Sequence, residues 1–165
     1  MTGMFTAARA VLLCGALLAV MPPDASAADA AGATGAQSPV GLWKTFDDKT
    51  GQARALVRIY AQDGKLFGRI EQSFKPGSEH RVCVACSDDR KNLPILGLVI
   101  IRNMKPDGGE YDGGDILDPE SGAVYRCKMH VEQDGARLIL RGYIGFSLLG
   151  RTQTWERQNG KPDQS

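Results

Sequence analysis

Cys83, Cys86 and Cys127 carry the most reactive side chains in the body of this chain. Two residues separate Cys83 from Cys86, a spacing that suits disulfide exchange, metal ligation or a plain cross-link. The redox version opens a helix inside a βαβ unit, and no such pattern surrounds these residues. A zinc set would need a fourth ligand beside the three cysteines. His80 fits better than His130, because His130 alternates onto the strand face opposite Cys127. A structural disulfide is the leading expectation, with no metal or cofactor. Its pairing stays open. A Cys83–Cys86 bond closes a tiny loop worth about 2 kcal/mol, whereas a bond to Cys127 closes a longer one worth about 4 kcal/mol. Cys127 lies on an apolar strand face and is expected to be buried.

A second group of polar side chains lies near the two ends of the patterned region. Trp43, Thr45 and Asp47 share one face if their segment is a strand, as do Arg151, Gln153, Trp155 and Arg157. If the first and last strands pair antiparallel, Asp47 falls near Gln153 or Arg151. A buried arginine requires an acceptor, since an unpaired buried charge is very costly. Asp47 is therefore the expected partner of Arg151. The cluster Asp47, Arg151, Gln153 and Trp155 is either a closing ion pair or a pocket for a polar ligand group. The acidic residues Glu110, Asp112, Asp115 and Asp118 lack the spacing of a calcium loop and read as turn residues. Arg54, Arg58, Arg69 and Arg137 read as solvated strand faces. With two histidines and no nucleophile elbow, phosphate loop or zinc-protease motif, the chain is expected not to be an enzyme.

These side chains must be positioned by β-strands. Ala55, Val57 and Ile59 alternate with polar neighbours, Gln62 to Lys65 form a turn, and Leu66 to Glu71 return as the second arm of a hairpin. Residues 74–93 lose the alternation. Ile95 to Ile101 is apolar enough for a buried strand, Lys105 to Gly109 reads as a turn, and Asp115 to Asp118 reads as a short strand. Residues 123–132 alternate most cleanly, with Ala123, Tyr125, Cys127, Met129 and Val131 on one face. Arg137 to Tyr143 and Leu148 to Arg157 follow. The pattern predicts an all-β fold, a single antiparallel meander of about eight strands able to close into a barrel. A two-sheet sandwich is the alternative.

The first residues read as an address. Arg9 precedes an apolar run, Ala10 to Val20, and Ala25-Ser26-Ala27 matches a small-x-small cleavage site. The run is shorter than the roughly 20 residues of a membrane span. Residues 1–27 are read as a cleaved signal peptide, 28–39 as a flexible lead, 40–158 as the barrel domain and 159–165 as a polar tail. A periplasmic or secreted location is expected, without a transmembrane segment after cleavage. A net charge of +1 argues against a nucleic-acid partner.

Gly41-Leu42-Trp43-Lys44-Thr45 with Asp47-Asp48, Cys83-Val84-Ala85-Cys86, Pro94-Ile95-Leu96-Gly97-Leu98, Ile116-Leu117-Asp118-Pro119, Arg141-Gly142-Tyr143-Ile144-Gly145 and Leu149-Gly150-Arg151-Thr152-Gln153-Thr154-Trp155 follow one another along the chain. Together they resemble a family of exported bacterial proteins classed as a domain of unknown function, DUF2147. The resemblance implies a periplasmic or secreted protein with a calycin-like (lipocalin-like) barrel, and no established activity. In calycins a Gly-x-Trp opens the first strand and a late arginine packs over the indole. The resemblance thus implies a barrel closure by Trp43 and Arg157, with Arg151 as the competing arginine. The function expected on this fold is binding of a small, partly hydrophobic or amphipathic ligand in or at the mouth of the barrel. The alternatives are an envelope interaction or scaffold protein with a solid barrel, and a redox or metal-handling protein centred on Cys83 and Cys86.

Overall fold

Alternation of apolar and polar side chains builds eight strands among the described residues. They are β1 (Gly41–Phe46), β2 (Ala53–Gln62), β3 (Lys65–Ser73), β4 (Val99–Asp107), β5 (Glu110–Leu117), β6 (Val124–Val131), β7 (Arg137–Tyr143) and β8 (Gly150–Gln158). The computed structural model describes residues 38–132 and 134–158. The signal peptide, the polar tail and most of the lead expected from the sequence lie outside these residues. Each strand pairs antiparallel with the next, and β8 returns to β1, so the sheet closes as a barrel rather than a sandwich. Closure leaves no open edge in the sheet.

Trp43, Val57, Ile59, Ile101, Met104, Met129 and Leu138 fill the barrel with almost no exposure. Gly68 makes room for this packing, since a Cβ there would lie 3.0 Å from the Ile101 side chain. The face predicted for residues 123–132 is the one that turns inward, with Cys127 and Met129 buried. The packed region begins slightly earlier than the pattern suggests. Ser38 and Pro39, placed in the flexible lead, are buried. The Trp43 Nε1–H donates to the Pro39 carbonyl at 2.7 Å, which holds that segment across the barrel's end.

Three strand assignments change. Ile95 to Leu98 are not in β4, although Ile95 and Leu98 are buried. They belong to a loop tied back through the Val82–Pro94 bridge, with the Gly97 N–H donating to the Ile70 carbonyl. An apolar run records burial and does not by itself record strand pairing. Lys105, Pro106 and Asp107 are strand rather than turn, and Gly108-Gly109 makes the reversal with positive φ at both residues. Pro106 is tolerated because the last β3–β4 pair is Leu66–Met104, so β4 has already run beyond its neighbour there. Finally, the short strand read at Asp115 to Asp118 is longer and earlier: β5 runs Glu110–Leu117, so Glu110 and Asp112 lie in a strand and not in a turn.

Candidate functional site

The two ends of the barrel differ because the connections differ. At one end the turns are short, and Trp43 of β1 stands opposite Arg157 of β8. The Arg157 Cζ lies 4.2 Å from the centre of the indole. Its guanidinium donates to the Gly135 carbonyl at 2.6 Å, to Val40 at 3.1 Å and to Ser38 at 2.7 Å. One side chain thus joins the incoming chain, the β6–β7 turn and the last strand over a fully buried tryptophan. Arg151, the competing choice, lies at the other end.

That other end is surrounded by the segments 47–52, 74–98, 118–123 and 144–149, and it holds a cavity of about 400 Å³. Val57, Ile70, Ile100, Leu140 and Trp155 supply an apolar wall. Thr45, Arg54, Tyr125, Arg151 and Gln153 add polar groups. The structure brings Arg151, Gln153 and Trp155 together here. The indole N–H of Trp155 donates to Gln153 Oε1 at 3.2 Å, and Gln153 Nε2 donates to the Asp48 carboxylate at 3.2 and 3.3 Å. Arg151 forms an ion pair with the same carboxylate.

Asp47 is not part of this cluster. Its carboxylate accepts from the backbone N–H groups of Lys49 and Thr50 and from the Thr50 hydroxyl, which hold its pKa below the usual value. Strand alternation ends at Phe46, after a register shift between Thr45 and Phe46. Local turn chemistry then decides where each carboxylate points. An Asp with a Thr three residues on is a turn signature. That signal would have left Asp48 as the carboxylate available to β8. The Arg151 side chain is 62% exposed, so its pair with Asp48 is a rim contact and not a buried charge.

Arg54 also departs from expectation. It lines the cavity rather than a solvated face, and pairs with Glu120 at 2.8 Å and Asp118 at 3.7 Å across the mouth. Arg58 is paired with Glu71 at 2.8 Å, and Arg69 packs 5.7 Å from the Tyr60 ring centre.

The long β3–β4 connection forms a cap beside this mouth. It contains a short 3₁₀ turn, Ser78–His80, and the disulfide Cys83–Cys86. The shorter of the possible bonds is the one formed, because Cys127 is held within β6 as a free, buried thiol. Burial pushes that thiol up to about 12, so it is neither nucleophilic nor a ready metal ligand. The alternative zinc set of Cys83, Cys86, Cys127 and His80 is overturned, since two of its sulfurs are bonded to each other and His80 is exposed. Cys83 and Cys86 are both buried, unlike the accessible sulfurs that exchange requires. The cap meets the β5–β6 turn at Gly122, where any Cβ would collide with the Ala85 carbonyl.

The principal residue missed by sequence reasoning is Arg90. It sits in the unpatterned loop, yet only 2% of it is exposed. Its Nε donates to both Asp88 oxygens at 3.1 and 3.0 Å, its Nη2 donates to Oδ2 at 2.5 Å, and its Nη1 donates to the Val99 carbonyl at 3.3 Å. Asp115 of β5 lies 3.7 Å away. Arg102 and Asp89 pair beside it at 2.8 Å. These charges fasten the cap to β4 and β5. The Asp-x-Arg spacing was the available signal, but nothing in it distinguishes a buried pair from a surface one.

This fastening has a pH dependence. The Arg90 side chain and backbone N–H hold the Asp88 carboxyl down at about 2, from 3.8. A carboxyl with a depressed folded pKa stabilises the fold above its unfolded value. The contribution is full above about pH 4 and disappears as pH falls through about 2. Asp88→Asn is expected to be less stable than the parent at pH 7, with the difference closing below pH 3 in thermal melts. A constant difference across that range would place the effect elsewhere.

Comparison with known proteins agrees with this architecture. Residues 41–157 match the model of a family described as "Uncharacterized protein conserved in bacteria (DUF2147)". No curated protein matches the chain. Among solved structures, the barrel is similar to protein HP1028 of Helicobacter pylori, described as belonging to the lipocalin family. The TM-score is 0.65 at 19% identity, covering 74% of this chain and 84% of that one. At that identity the likeness speaks to the fold alone.

Proposed function

The chain belongs to the bacterial family DUF2147, and on that premise we propose that it binds a small, partly hydrophobic molecule in the open end of its lipocalin-like barrel. The cavity carries this reading. Its volume of about 400 Å³ lies within the roughly 300–1,000 Å³ of small-molecule sites. Its wall is mostly aliphatic and aromatic, with a few polar groups near the mouth, the pattern that orients a ligand with one polar end. The reading is of a binder rather than a catalyst. Arg54 is engaged by Glu120, and Arg151 and Gln153 by Asp48, an arrangement that positions a polar group and does not activate a nucleophile. The cavity also weighs against the scaffold alternative, which called for a solid interior.

Export belongs to the same proposal. The Ala25-Ser26-Ala27 cleavage pattern motivates it, and the Cys83–Cys86 disulfide supports an oxidising compartment. Among the described residues no helix is long and apolar enough to cross a membrane.

Gly142 offers a direct test. A Cβ at this position would make ordinary contacts, 3.5 Å from Tyr125 and 3.6 Å from Ile116, and a longer side chain would extend into the cavity it lines. The parent protein is expected to bind a fluorescent fatty acid saturably at one site. Gly142→Leu is expected to weaken that binding by roughly tenfold or more while melting within a few degrees of the parent. Native mass spectrometry of the envelope fraction would read the mature N-terminus and any retained molecule together. Absence of saturable binding by the parent, or equal binding by Gly142→Leu, would remove the cavity from consideration.

A further inference from the structure

We propose that the β7–β8 loop, residues 144–149, docks this protein onto the surface of a bilayer containing anionic phospholipid. The loop carries Ile144, Phe146, Leu148 and Leu149, exposed by 68%, 80%, 88% and 78%. Leaving four large apolar side chains in water on one short loop is unfavourable unless something covers them. Ile144 and Leu149 also line the cavity, so the apolar tip is continuous with the barrel's interior.

The loop is held in this form. Arg141 of β7 donates from Nε to the Ser147 carbonyl at 2.6 Å, from Nη2 to the Leu148 carbonyl at 3.1 Å and from Nη1 to the Thr152 hydroxyl at 3.0 Å. The Leu149 N–H donates to the Phe146 carbonyl at 3.0 Å. These bonds have two consequences. They fix the tip's backbone with Phe146 and Leu148 turned to solvent, outside the cavity lining. They also give the carbonyls of Phe146, Ser147 and Leu148 partners, which lowers the cost of moving the tip into a medium poor in water.

The shape favours a bilayer over a protein partner. A convex tip of four side chains cannot supply the roughly 800 Å² per partner of a standard protein interface. It can place aromatic and aliphatic groups at the depth of the headgroup and acyl boundary. Arg141 at the base of the loop donates to neutral oxygens and so keeps its positive charge beside the tip, whereas Arg151 is already paired with Asp48; the Arg141 charge favours an anionic surface. Seated this way, the barrel mouth opens at the membrane surface, and an amphipathic molecule could pass between bilayer and cavity without crossing bulk water.

The test is co-sedimentation of the protein, expressed from the full chain, with vesicles of phosphatidylglycerol and phosphatidylethanolamine. The parent is expected to pellet with them, and more weakly with pure phosphatidylcholine. The double variant Phe146→Ser with Leu148→Ser should lose binding by roughly tenfold or more. It should melt with the parent, because both side chains are exposed. The variant keeps the same N-terminus, so its loss reads the loop alone. In a Phe146→Trp variant, vesicles should shift the new tryptophan's emission to the blue, whereas Trp43 and Trp155 are already buried. Failure of the parent to bind, or equal binding by the double variant, would overturn the proposal. So would a parent dimer that the same double variant dissolves, since the loop would then be a self-association surface. Docking needs no ligand, and Gly142→Leu should keep it, so failure here is distinguishable from failure of the cavity reading.

Discussion

Arg90→Ala is expected to cost the fold about 3–5 kcal/mol, because Arg90 is the one charged side chain that is fully buried among the described residues. The side chain is almost wholly buried, and it compensates two carboxylates of similar overall exposure, of which Asp115 keeps one oxygen out of water. Asp88 is 35% exposed and can rehydrate when its partner is lost. Asp115 is less able to, because its Oδ1 is buried with no hydrogen-bond partner apart from the charge of Arg90 nearby. Desolvation raises the Asp115 pKa, and Arg90 and Arg102 oppose that rise. Without Arg90 the carboxyl rises further. A partly buried acid with a raised folded pKa penalises the fold when ionised, so the penalty is relieved as pH falls through that pKa. The deficit of Arg90→Ala should therefore shrink as pH falls through the raised Asp115 pKa, at a higher pH than the one at which the Asp88→Asn difference closes. Thermal or urea unfolding across pH measures this directly. A loss below about 1 kcal/mol at pH 7 would show that the pair is solvated in practice. Combining Arg90→Leu with Asp115→Leu should be milder than Arg90→Ala, since removing a buried pair costs less than orphaning one member.

The second large effect belongs to the closed end. Arg157→Ala should lower stability by about 2–4 kcal/mol, a fall in melting temperature of roughly 10 °C for a domain of this size. The change removes a cation over an indole, worth about 0.5–2 kcal/mol. It also leaves the carbonyls of Gly135, Val40 and Ser38 without the charged donor they share. Part of that loss is recovered by water, because the guanidinium is only partly buried. Arg157→Lys should restore little, since an ammonium cannot hold three divergent carbonyls and stack flat on the ring. A cycle with Trp43→Phe would isolate the stacking contribution, which should appear as non-additivity between the two changes. Unchanged melting in Arg157→Ala would show that Pro39 and the indole N–H close this end without help.

The two ends differ in how far they could be read from residues. Trp43 faces Arg157 because a closed antiparallel meander must set the start of its first strand against the end of its last. Period-two alternation then selects which side chains point inward. At the mouth this logic stops at Phe46, where the strand ends and the Asp47 carboxylate turns back on its own backbone. The ion pair foreseen for Arg151 exists, but its carboxylate belongs to Asp48. Arg54 was misplaced for a related reason. It lies near the start of β2, where the barrel wall gives way to the loops that surround the cavity.

Sequence alone determined the all-β meander, the strand-bound turns and the inward face of β6, because those follow from a local periodicity that each strand carries by itself. The tertiary structure decided what depends on segments far apart in the chain. The loop 74–98 has no period of its own, so the burial of Arg90 arises only when the cap lies against β4 and β5. The choice of Cys83–Cys86 follows from the place of Cys127 within a closed wall. Leu148 and Leu149, read as the start of the last strand, lie instead in an exposed loop whose carbonyls Arg141 reaches across to hold. Local pattern encodes the direction of side chains along one strand; which charges and apolar groups meet water is settled by closure of the whole barrel.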